Sequence, residues 1–115
     1  MVNKNLDVKE QMKIFKISQN VNSDYDTFSD AIVIAKDKED AKRIHPYSYN
    51  GFKDIFFDEK RKQFWNKYSK SKESYLFEDR YGTWTNNLTK IKVELIGIAN
   101  SKLKRGVVCA SFHAG

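Results

Sequence analysis

Ala31-Ile32-Val33-Ile34-Ala35, followed directly by Lys36-Asp37-Lys38-Glu39-Asp40-Ala41-Lys42-Arg43-Ile44-His45-Pro46, decides the fold class. The first five residues form a short apolar, β-branched run and predict a central strand. Asp37 is then placed to cap a helix that reaches about His45. Asp37, Glu39 and Asp40 crowd its first turn and Lys42 and Arg43 its last, the order that the helix dipole favours, and Pro46 stops it. Ala41, Ile44 and His45 fall on one stripe, which predicts that they face the sheet.

Working outward, Met12 to Gln19 has apolar residues at 12, 14, 15 and 17, enough for a strand with one buried face. Asn20 to Asp30 is rich in Asn, Asp and Ser, which bond their own backbone, and predicts a loop carrying Tyr25 and Phe28. On the C-terminal side, Lys90 to Ala99 alternates well. Ile91, Val93, Leu95 and Gly97 point one way, Lys92 and Glu94 face solvent, and Ile96 and Ile98 are expected to be more covered. A turn over 100–106 leads to a final strand, Val107 to Phe112. The expectation is an α+β fold, a small antiparallel β-sheet with one or two helices packed on one face.

Residues 1–11 are polar and lack a period, so they are expected to form a flexible N-terminal extension to a single α+β ligand-binding domain over 12–115. Residues from about 50 to 80 form an aromatic, basic insert. Within it, Phe57, Arg61, Phe64, Trp65 and Tyr68 recur at helical spacing, which predicts a second, basic helix over 58–69. Such a helix packs its aromatics on the sheet, and its other face can present Lys60, Arg61, Lys62 and Lys67 to phosphates.

The net charge is +6 and is unevenly spread. Residues 58–72 carry six Lys or Arg against two acids, and 102–105 carry three against none. This favours anionic partners without choosing among them. No run reaches the roughly 18 apolar residues of a membrane-spanning helix, and the first residues are too polar for a signal peptide, so the expected location is the cytoplasm with no membrane partner. The single cysteine, Cys109, excludes an intrachain disulfide, fits a reducing compartment and is expected to be a small buried thiol. Aromatic residues make up 14 % of the chain, more than a domain this size easily hides. A homodimer or higher homo-oligomer is therefore expected, with Trp65, Tyr68 or Tyr75 at the contact.

Catalysis finds little support. Cys109 and His113 share a strand face about 13 Å apart, too far for one metal, and no second Cys or paired His completes a site. No phosphate-cradling loop or dinucleotide fingerprint occurs. No catalytic residue, metal or cofactor is expected. A binding chemistry remains: Tyr25, Phe77 and Trp84 can stack on a base, Asn86 and Asn87 can read its edge, and Lys104 and Arg105 can meet phosphates. The turn at 102–106, with no acid between Glu94 and Gly115, reads equally as a solvated turn. Trp84 also reads as a core residue.

Several stretches carry a resemblance. Lys13-Ile14-Phe15-Lys16-Ile17-Ser18-Gln19, Tyr25-Asp26-Thr27-Phe28, Ala31 to Ala35 and Ala41-Lys42-Arg43-Ile44-His45-Pro46 belong to it. So do Gly82-Thr83-Trp84, Val93 to Ala99 and Gly106 to Gly115. Together they resemble the phage Thoeris anti-defence sponges of the first type, over about two thirds of the chain. The resemblance implies a non-enzymatic protein of the host bacterial cytoplasm. Such a protein sequesters, without degrading it, the cyclic ADP-ribose isomer by which a TIR-domain enzyme signals infection. The family is also associated with cyclic oligonucleotides when assembled into higher oligomers. Carried over, the ligand loops are the segment around Trp84, Asn86 and Asn87 and the turn with Arg105. Similar proteins often have Pro after Asn where this chain has Asn87. The alternative is a basic phage accessory protein that binds nucleic acid or a host enzyme.

Overall fold

A computed structural model describes residues 11–21, 27–51, 55–67, 74–76 and 83–113. Strands β1 (Lys13–Ser18), β2 (Thr27–Ala35), β6 (Lys92–Ile98) and β7 (Gly106–His113) form a four-stranded sheet in the order β6-β1-β2-β7. Each neighbouring pair is antiparallel. Strands β3 (Ile55–Asp58), β4 (Gln63–Lys67) and β5 (Ser74–Leu76) form a second, antiparallel sheet. One helix, α1 (Lys38–Lys42), and 3-10 turns at Pro46–Gly51 and Leu88–Lys90 complete the described elements. The architecture is a small α+β fold. No helix of the described residues is long and apolar enough to cross a membrane.

Alternation builds the core. The β1–β2 register sets Phe15 opposite Val33 and Ile17 opposite Ala31, and all four are buried. Onto this face pack Ala41 and Ile44 after the central strand, Ile55, Phe57 and Phe64 from the second sheet, and Trp84 and Ile91. Removing such side chains from water is the main stabilising term, about 1.5–3 kcal/mol for each large one.

Asp37 caps α1 as its sequence predicts, its side chain accepting from Asp40 N at 2.8 Å. The helix is shorter than expected, however, because the residue before a proline avoids helical backbone. Ile44 and His45 therefore leave the helix, and Pro46 opens a 3-10 turn rather than merely ending a helix. Both side chains stay buried with Ala41.

Other expectations need correction. The helix over 58–69 is a β3–β4 hairpin as far as the described residues run. Phe57 and Phe64 are seven apart, which fits two helical turns, but they pair directly across the hairpin, with rings 5.1 Å apart. Asp58 decides between the two, because its carboxylate accepts from Lys60 N and Arg61 N and turns the chain. β2 begins at Thr27, within the expected loop, because β7 pairs with Thr27 and Phe28. Ile96 and Ile98 are 50 % and 55 % exposed, not covered. A register shift beside Ile96 breaks the alternation of β6, which is an edge strand. Leu95, on the face expected to be buried, is likewise half-exposed. Cys109 is exposed because β7 forms the other edge.

Candidate functional site

The segment after β5 is pinned from a distance. Gln19 Nε2 donates to Phe28 O and Thr83 O, both at 2.9 Å, and Phe28 N donates to Thr83 O at 3.0 Å. This ties residues 83–90 to the start of β2 and turns Trp84 into the core, where it is 3 % exposed. Trp84 therefore offers no ring face to a ligand, and its role here is packing.

The two amides that follow are held differently. Phe64 N donates to Asn86 Oδ1 at 3.1 Å, so β4 fixes that side chain. Asn87 Oδ1 caps the 3-10 turn, accepting from Thr89 N at 3.1 Å and Thr89 Oγ1 at 2.6 Å. Asn87 N donates to Thr85 Oγ1 at 3.0 Å, a bond that proline at this position could not make. Both carbonyl oxygens are thus engaged. Both NH2 groups lack partners among the described residues and remain as donors.

These amides lie on a depression of about 470 Å³ lined by Phe57, Lys62, Asn86, Asn87, Leu88 and Thr89. Among the described residues it joins an apolar floor to amide donors and the Lys62 cation, a suitable setting for a ligand with a flat apolar part and acceptor-rich oxygens. The lining, among the described residues, contains no carboxylate, imidazole or thiol. Lys62 belongs to it and was visible in the sequence only as one of several charges in a basic run. Its position in the turn, which singles it out, depends on the hairpin.

Lys104 and Arg105 line neither this depression nor the second one described below. Arg105 Nε donates to Asp40 Oδ1 at 2.8 Å, while Asp40 Oδ2 accepts from Lys36 N at 3.1 Å. The basic turn between β6 and β7 is thereby fastened to the start of α1. Tyr25, Phe77 and Tyr68 lie outside the described residues, as do residues 1–10. Trp65 packs beneath Arg61, whose guanidinium carbon is 4.4 Å from the ring centroid.

A second groove, about 290 Å³, runs between β7 and the 3-10 turn at 46–51. Phe28, Tyr47 and Phe112 line it edge to face, with Val108, Cys109 and Ala110. His45 is close by. Burial pushes its imidazole down to about 3, so it is neutral at physiological pH, and its Nδ1 accepts from Tyr47 N at 3.1 Å. Compared with models of protein families, with curated proteins and with solved structures, the chain finds no match.

Proposed function

We propose that this chain is a non-catalytic binder of a cyclic ADP-ribose-type nucleotide signal, a phage anti-defence sponge that withholds the signal from the host Thoeris effector. The observation that carries this reading is the 62/86/87 depression, in which two oriented amides and a cation converge over an apolar floor. With their oxygens engaged, Asn86 and Asn87 offer only donors, suited to adenine ring nitrogens, ribose oxygens and phosphate. The resemblance of residues 12–49 and 81–115 to the sponge family supplies the ligand class.

The chain acts in this reading as a homodimer or larger homo-oligomer, supported by the exposed apolar residues Leu95, Ile96, Ile98, Val108 and Phe112 on the two edge strands. The nucleic-acid alternative loses the basic helix on which it relied. In the hairpin found there, Arg61 is paired with Asp58 at 2.9 Å and stacked on Trp65. The test is to mix the protein with cyclic ADP-ribose isomers, follow binding by calorimetry, then release the ligand by heat and weigh it. Intact ligand supports the reading. Recovery of cleaved product, or no binding of any isomer, rejects it.

A further inference from the structure

Lys62 has φ of +57°, the only non-glycine residue with a left-handed backbone among those described. It closes the four-residue turn 59–62, where Lys62 N donates to Asp58 O at 2.8 Å. A turn closed this way is served best by glycine or asparagine, which reach the left-handed region at little cost. A lysine there is a local conflict with backbone preference, and such conflicts concentrate where a side chain is used for something else.

The charges around it narrow that use. Asp58 accepts from Arg61 Nη1, and the Arg61 backbone and guanidinium together hold its carboxyl below the usual range. Glu59, the other acid of the turn, is taken by Arg43, with bonds at 2.6 and 3.4 Å that hold its carboxyl low as well. Lys62 makes no ion-pair contact among the described residues, although its charge helps at longer range to hold the Glu59 carboxyl low, and it lines the same depression as the two amide NH2 groups. Thr89 directs its hydroxyl to Asn87 and adds no competing donor. Three donor groups, one of them charged, therefore meet with no acid in the described lining.

We propose that Lys62 is the phosphate-holding cation of this depression and that its left-handed backbone is the cost of aiming it there. The site would take a phosphate or pyrophosphate group, with Asn86 and Asn87 donating to its oxygens. The identity of the whole ligand rests on the function proposed above, but the anion site can be tested without it.

The experiment titrates inorganic pyrophosphate into the full chain at low salt by calorimetry, with Lys62→Gly and Lys62→Arg measured alongside and thermal melts on all three. The proposal expects Lys62→Gly to lose about tenfold or more in affinity while its Tm rises, because glycine relieves the turn. Lys62→Arg should keep most of the affinity. It is overturned if the natural chain does not bind pyrophosphate, if Lys62→Gly binds it equally well, or if both variants lose it equally. Cyclic ADP-ribose isomers on the same proteins separate the two readings. Pyrophosphate held through Lys62 without any cyclic nucleotide bound rejects the function and keeps the site. Cyclic nucleotide binding untouched by Lys62→Gly does the reverse.

Discussion

The two basic turns of this chain, 59–62 and 102–105, look alike in sequence and differ in what they do with their charge. In the second, Arg105 is bonded to Asp40, and the pair fastens a crossing connection to α1. In the first, both acids are satisfied by arginines, Asp58 by Arg61 and Glu59 by Arg43, and Lys62 is left facing a depression. The same helix serves both turns, Asp40 reaching one from within it and Arg43 the other from its C-cap. A cluster of cations thus marks an anion site only after internal pairing has been subtracted. After that subtraction both turns keep lysines without an ion-pair contact among the described residues, Lys60 and Lys62 in one and Lys102 and Lys104 in the other. What sets Lys62 apart is that it lines the depression with the two amides.

The largest test removes what stands behind the first turn. Phe64 is buried against Phe57 and His45, and its backbone holds Asn86. Phe64→Ala should cost about 3–5 kcal/mol in urea unfolding and abolish pyrophosphate binding, and Trp84→Ala should cost a similar amount. A loss below about 1 kcal/mol would detach the hairpin from the common core.

His45, edge to face with Phe64 and just beyond α1, links the two regions through pH. The unfolded chain takes up a proton near pH 6.5, which the folded chain refuses until about 3. Stability is therefore full above 6.5 and falls as the pH drops through that window, by up to about 1.4 kcal/mol per pH unit. Thermal melts should show this slope between pH 6.5 and 5 and lose it in His45→Gln.

Asp40→Ala removes both the Arg105 bond and the acceptor for Lys36 N, and should cost about 1–2 kcal/mol by urea titration. Arg105→Ala should cost under about 1 kcal/mol, as an exposed pair does, and leave pyrophosphate affinity unchanged. If it weakened that affinity as much as Lys62→Gly, the contrast between the turns would fail, because both would then act on one ligand.

What was legible in the sequence was local. Ala31–Ala35 and the Asp37 cap announce themselves through neighbours in the chain, and so do the β6 and β7 runs. The hairpin did not, because a spacing of seven suits a helix face and a cross-strand pair equally well. The exposure of Cys109, Ile96 and Ile98 follows from which strands end up at the edges, which is a property of topology. At the site, two amides in a loop were readable as edge donors. The pairing of Arg105 with a carboxylate 65 residues earlier was not, nor was the placement of Lys62 beside those amides, since both depend on tertiary partners.

Strand order has a consequence for synthesis. β6 and β7 are consecutive in sequence, yet they close opposite edges of the sheet. Until the ribosome has released residues 92–98 the larger sheet consists only of the β1–β2 pair, and until it has released 106–113 the β2 edge stays open. A lone pair of strands is marginal in water, and the large sheet cannot be completed before residues 106–113 are available. The larger sheet should therefore be completed one edge at a time after its first pair, with unpaired edges exposed to other nascent chains in the interval.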